Sequence, residues 1–188
     1  PRGRGTLSTV GGCDVVLAIG GSAGGIEALV ELVAGLPADL PACVLVTVHV
    51  GGNARSNLPQ ILARSGPLPA VHARHGEPLR RGRIHVAPPD FHLLTADGVA
   101  RLSSGPRVNR HRPAIDVMFA SAARWGGPRV LGIILSGLAG DRFARWLGAD
   151  VAGRTAVLGV GAAASGVALA PHVIVSLVAG EIRDPLGD

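Results

Sequence analysis

Lysine is absent from this sequence; all 18 basic residues are arginine. Without it the chain cannot carry the G-x-x-x-x-G-K-[ST] loop that cradles nucleotide phosphates. Tyrosine is absent too, and aromatic residues make up only 3%. That leaves little to stack on bases, so nucleic acid is not an expected partner, and it hands the core to Val, Leu, Ile and Ala. Cysteine occurs twice, as Cys13 and Cys43, each opening an apolar run. Two are too few for a disulfide framework or a thiolate metal site, and they read as small buried hydrophobes in a reducing, cytoplasmic setting. Charged residues are only 16% against 47% hydrophobic ones, a balance that suits a buried sheet and argues against disorder.

The opening stretch "PRGRGTLSTVGG" lacks the apolar centre of a secretion signal. Residues 1–12 therefore read as a flexible lead-in, and residues 13–184 as a single domain, since 188 residues suffice for one well-cored unit and are few for two. Ala156 to Gly180 carries no charge and is long enough to cross a bilayer. Its Gly, Ser, Pro and His, and its short β-branched runs, fit two buried strands around a small helix better, so no membrane insertion is expected. The net charge is +5, with arginines gathered at Arg74–Arg83 and Arg107–Arg112. A solvated basic face and a docking surface for an acidic macromolecule account for them equally well.

The pattern along the chain is strand, glycine turn, helix, strand. Val15–Ile19 is a continuous apolar strand, and Ile26–Ala34 places Ile26, Leu29, Val30 and Val33 at helical spacing. Cys43–Val50 is a second apolar strand, so the two form a parallel βαβ unit covered on both faces. Leu58–Ala63 reads as a short helix. From Val71 to Ser103, "AVHAR", "GRIHVAP", "FHLLT" and "VARLS" are four short strand-like pieces divided by turns, of which "ADG" is a good hairpin turn. They predict an antiparallel extension at one side of the sheet. Ile115–Arg124 is helical, Val130–Ser136 is a third buried strand, Asp141–Leu147 is a further helix, and "TAVLGV" and "HVIVSLV" finish the sheet. The fold class expected is α/β: a Rossmann-like, doubly wound, mostly parallel sheet with helices on both faces and an antiparallel hairpin extension.

The stretch "VVLAIGGSAGG", Val15 to Gly25, can hold a phosphate or present a nucleophile. A dinucleotide fingerprint wants G-x-G-x-x-G and an acidic residue ending the second strand. Here Ser22 stands for the middle glycine and His49 for the acid, so both contacts are lost. Gly20-Gly21-Ser22-Ala23-Gly24 fits G-x-S-x-G instead, a turn that exposes a serine oxygen at the start of a helix, whose glycines allow close packing and a left-handed backbone. Ser22, His49 and Asp141 follow three successive parallel strands, at the sheet edge where open α/β sheets bind ligands. Together they form the nucleophile, base and orienting carboxylate of acyl transfer. Asp116, inside a helix, is the rival for the third role. His72, His75, His85, His92, His111 and His172 have no comparable position beside the serine turn.

These residues resemble the chemotaxis protein-glutamate methylesterases. Ile19 to Gly25 matches that family's "IGxSxGG" turn, and "VTVHV" its strand ending in the catalytic histidine. Gly82 to Leu93 ("GRIHVAPPDFHL"), Arg112 to Phe119 ("RPAIDVMF") and "LSGLAGD", which ends at Asp141, follow in the family's order. The resemblance covers residues 14 to about 180. It implies hydrolysis of glutamyl methyl esters on chemoreceptor helices, releasing methanol, with deamidation of receptor glutamines as a companion activity. It implies Ser22 as nucleophile, His49 as general base then acid, Asp141 as orienting carboxylate, and the backbone N–H groups of Ala23 and Leu138 as oxyanion donors. No metal or organic cofactor is implied, and the partner implied is a methylated chemoreceptor or another acidic protein.

Four features depart from the family pattern. Arg142-Phe143 replaces the small Gly-Ala after the aspartate, Val48 replaces the usual Gln before the histidine, and the stretch after Asp141 is short. No receiver domain stands ahead of the catalytic part, so either a longer parent chain or a control that needs no attached receiver is expected. The altered aspartate loop makes a weakened or inactive signalling module the alternative to an active esterase.

Overall fold

The computed structural model describes residues 13, 15–49 and 56–135, together with the backbone of two strands at 157–158 and 173–176. A seven-stranded sheet forms the centre. Its strands are β1 (Val15–Ser22), β2 (Ala42–His49), β3 (Ala70–His72), β4 (Arg83–Val86), β7 (Val130–Leu135), β8 (Val157–Leu158) and β9 (Val173–Ser176). They lie in the order β3-β4-β2-β1-β7-β9-β8. The first five are mutually parallel, and β9 and β8 add antiparallel at the β7 side. The remaining pair, β5 (His92–Ala96) and β6 (Val99–Ser103), is a separate antiparallel hairpin.

Alternation along the strands sorts the core into two layers. From β1 and β2, Leu17, Ile19, Val44, Val46 and Val48 point to one face, where they meet Leu29 and Val33 of α1 (Ile26–Ala34) and Leu58 and Leu62 of α2 (Leu58–Ser65). Val16, Ala18, Cys43 and Leu45 point to the other face, against Ile115, Met118, Phe119 and Ala122 of α3 (Ile115–Gly126) and Leu93 and Ala100 of the hairpin. Burying a side chain such as Leu29 or Leu62 completely contributes about 1.5–3 kcal/mol. The doubly wound α/β architecture is thus the one the apolar runs predict. Among the described residues no helix is long and apolar enough to cross a membrane.

Two expectations are corrected. The four pieces between Val71 and Ser103 are not one antiparallel extension: β3 and β4 join the main sheet in parallel, and only β5 and β6 pair as a hairpin. The reason lies in the link between β3 and β4, which looks like a simple turn in the sequence. It runs alongside the hairpin instead, with Gly76 N–H donating to Ala100 O, Ala100 N–H to Glu77 O and Leu79 N–H to Gly98 O. That detour returns the chain to the same end of the sheet, as a parallel crossover requires. The Asp97-Gly98 turn is as expected, with positive φ at both residues (52° and 76°), the geometry that closes a two-residue hairpin.

The second correction concerns the cysteines. Cys13 and Cys43 are both buried, but as a disulfide, not as free thiols. Parallel pairing of Val16 with Cys43 brings the chain just ahead of β1 beside the start of β2, leaving the two Cα atoms 5.8 Å apart. The argument from free thiols to a reducing compartment therefore falls. The helix expected over Asp141–Leu147 and the lead-in 1–12 lie outside the described residues.

Candidate active site

Ser22 and His49 end adjacent parallel strands in matched register, Ser22 opposite His49. Alternation puts Ser22 on the same face as Ala18 and Gly20, and His49 on the same face as Leu45 and Thr47. Both therefore belong to the α3 side of the sheet, where Thr47 Oγ1 donates to Met118 Sδ at 3.1 Å. Both are half-buried. Strand order reverses at β1, which has β2 on one side and β7 on the other. In an open α/β sheet the crevice at such a switch, beyond the carboxyl ends, is where ligands bind.

The glycines around Ser22 are required by close packing, not by a left-handed turn. Gly25 has φ −93°, and Ser22 is not among the described residues with positive φ. The strand runs straight through Ser22 into a single 3-10 turn, Ala23–Gly25, and then α1. A Cβ on Gly25 would stand 2.6 Å from the Leu135 carbonyl oxygen at the end of β7, and one on Gly20 would collide with the Ile115 side chain. Helix α1 can therefore start hard against the sheet edge, with its unpaired N–H groups at the Ser22 end of the strand.

Helix α3 supplies the third side. Its N-cap is Ala114, which offers no capping side chain. Two histidines from elsewhere take the orphan donors instead: Ala114 N–H donates to His92 Nδ1 at 3.2 Å, and Ile115 N–H to His49 Nε2 at 3.3 Å. A nitrogen that accepts carries no proton, so the neutral His49 ring holds its proton on Nδ1. At 3.3 Å this bond is at the long end of the usual range. Burial, and secondarily the neighbouring His111, push the His49 pKa down to about 4, so the ring is neutral at pH 7.

His111 is the feature the sequence reading passed over. Its ring lies flat on His49, centroids 3.9 Å apart and planes 3° from parallel. It ends a two-residue turn in which Asn109 and Arg110 both have positive φ, 49° and 68°. Asparagine tolerates that conformation better than most residues, so "VNRH" carried a turn signal that the arginine count obscured. Asp116, the rival carboxylate, accepts from Asn109 Nδ2 at 2.8 Å and makes no hydrogen bond to His49. Burial raises its pKa, against the opposing effects of the Asn109 bond and His111. Ala23 opens the 3-10 turn, while Asp141 and Leu138 lie outside the described residues. Among the described residues no cluster of His, Cys, Asp or Glu could hold a metal ion.

Known proteins resemble this chain in sequence and in fold. The profile of the CheB methylesterase family matches residues 17–157. A protein-glutamate methylesterase/protein-glutamine glutaminase of Anaeromyxobacter dehalogenans is 43% identical over 126 residues, 67% of this chain and 37% of that protein. One of Geobacter metallireducens is 38% identical over 137 residues, 71% of this chain and 38% of its own length. The chain thus spans less than two fifths of these relatives. The crystal structure of the Thermotoga maritima CheB methylesterase catalytic domain superposes with a TM-score of 0.61 at 29% identity, over 68% of this chain and 69% of that one. Ordered motifs, fold and relatives agree: this chain belongs to the CheB methylesterase family.

Proposed function

We propose that this chain is a serine hydrolase domain that cleaves glutamyl methyl esters on an acidic, helical protein such as a methylated chemoreceptor. The observation that carries the reading is the matched register of Ser22 and His49 at the carboxyl edge of neighbouring parallel strands, on one face of the sheet. In the proposed reaction the Ser22 hydroxyl displaces the Ile115 N–H from His49 Nε2, and Nδ1–H donates to the Asp141 carboxylate. Ser22 Oγ then attacks the ester carbonyl as Nε2 takes its proton, and the N–H groups of Ala23 and Leu138 hold the oxyanion. Collapse expels the methoxy group, which leaves as methanol with the proton from His49. Water, deprotonated by the same nitrogen, attacks the acyl-serine and releases glutamate and free Ser22. Attack on a glutamine side chain by the same steps releases ammonia. A cytoplasmic setting now rests on the proposed receptor substrate alone, since disulfides such as Cys13–Cys43 are uncommon in that compartment.

The test is labelling with a fluorophosphonate probe, followed by methanol release from methylated receptor. The wild type should label, Ser22→Ala should not, and Asp141→Asn should label far more slowly. A folded wild-type protein that takes no label would sink the esterase reading.

A further inference from the structure

We propose that His111 is a positioning residue for His49: the Val108–His111 turn clamps its ring flat over the His49 imidazole, fixing that ring at the strand end beside Ser22 and shutting one of its faces off from water. The inference rests on His49 being the base of the proposed reaction.

His111 is itself exposed, but its backbone is tied down at several points. Val108 N–H donates to His111 O at 3.1 Å and His111 N–H to Val108 O at 2.9 Å, closing the turn. Asn109 Nδ2 fastens the turn to α3 through Asp116 at 2.8 Å. On the other side Arg112 Nη1 donates to Ser104 O at 2.7 Å and Gly105 O at 3.0 Å. From the backbone fixed in this way the ring lies parallel to His49, centroids 3.9 Å apart. Stacking uses the face of an imidazole and leaves its nitrogens free at the edge. Nε2 therefore still meets Ile115 N–H in the ring plane, and Nδ1 stays available to a carboxylate.

The cover also explains why His49 resists protonation. A ring on one face removes water that would solvate an imidazolium, and a second imidazole opposes a charge beneath it. The other charged groups nearby are Arg110 and Arg112, which flank His111, Arg107 just ahead of the turn, Asp90, which pairs with Arg107 and Arg112, and Asp116 on α3, whose carboxylate is engaged by Asn109. Arg55 and Asp141 follow the strands outside the described residues. His111 is the group in ring contact.

The experiment is an NMR titration of the histidine side chains in wild type, His111→Ala and His111→Phe, run beside kcat/KM against pH on a methyl ester substrate. His111→Ala should raise the His49 midpoint from about 4 by about one pH unit or more, carry the acid limb of kcat/KM up with it, and lower kcat roughly 10-fold through loss of orientation. His111→Phe restores a flat ring without its charge, so kcat should recover while part of the upward shift remains. An unmoved His49 midpoint in both variants overturns the proposal, as does a His111→Phe enzyme no better than His111→Ala. If His111→Ala does not fold, His111→Gln takes its place, since it removes the flat ring and its charge but keeps a polar side chain on the turn; an unmoved His49 midpoint with unchanged kcat there overturns the proposal. Repeating the titration in Ser22→Ala separates the two claims. Absent hydrolysis would count against the esterase, whereas the titration reports on His111 alone.

Discussion

Two histidines of this molecule share a sheet face, a backbone donor on Nε2 and a lowered pKa, and differ in where their strands put them. His85 on β4 and His49 on β2 share a face of the sheet, since His85 pairs with Leu45. Each accepts a backbone N–H on Nε2, from Arg80 at 3.3 Å and from Ile115 at 3.3 Å. Burial drives both pKa values down to about 4. Yet His85 is fully buried in mid-strand, while His49 stands at the strand end opposite Ser22. A depressed pKa therefore marks a desolvated imidazole and says nothing of chemistry by itself. Position at the carboxyl edge makes the difference.

Activity should break the pair apart most. His49→Gln removes the proposed base and should lower kcat/KM by about 10³-fold or more, with little change in unfolding free energy. His85→Leu should leave kcat/KM within about 3-fold of wild type. Steady-state hydrolysis of a methyl ester by both variants checks this, and equal losses would erase the distinction.

Stability against pH should treat the two alike, because both pKa values fall to about 4. A histidine whose pKa is lower folded than unfolded leaves the unfolded chain holding more protons between the two values. Its effect on stability is absent above about 6.5, grows as pH falls through the window, and is complete below about 4. For His85, whose Nδ1 is buried without a partner among the described residues, the loss should reach about 2–3 kcal/mol. Urea unfolding at pH 7 and pH 5 should show wild type weakening on acidification and His85→Leu weakening less. At pH 7 His85→Leu should change stability little, because losing the unpartnered Nδ1 is offset by leaving the Arg80 N–H without its acceptor.

Backbone packing separates the site from its surroundings on a smaller scale. Gly20→Ala drives a methyl group into Ile115, the residue whose N–H meets His49, and should cost about 1–3 kcal/mol. Gly35→Ala, at φ −85° with only ordinary contacts around the new methyl, should be neutral or stabilising by about 0.4–1 kcal/mol. Thermal unfolding of the two variants tests the contrast.

Much of this was legible in the sequence for a physical reason. Apolar runs buried on both faces declare parallel strands, so β1, β2 and β7 and the strand ends bearing Ser22 and His49 could be found by pattern. What was illegible depends on contacts distant in sequence. Whether β3 and β4 pair parallel depends on a link that hydrogen-bonds to a hairpin still to come. The Cys13–Cys43 pairing depends on the register of β1 with β2. His111 reads as one basic residue among arginines until the turn at Asn109 folds it over a ring on another strand. The proposed site's first two residues follow from strand ends, and its third side follows from tertiary structure.

Asn109 offers the gentlest way to sharpen that last point. Its side chain ties the His111 turn to Asp116, and its φ of 49° suits Asn or Gly. Asn109→Gly keeps the backbone and removes only the tie, at a cost of about 0.5–1.5 kcal/mol. Asn109→Ala adds about 1–2 kcal/mol of left-handed strain. The bond favours the charged carboxylate, so either change should raise the Asp116 pKa above its already elevated value. Carbon-detected NMR of the Asp116 carboxyl would read that rise, and the His49 titration in the same samples would read how far the ring above it has loosened. A higher Asp116 midpoint with His49 unchanged would mean that the closed turn holds His111 in place without help from α3. Movement in both would make Asn109 part of the clamp.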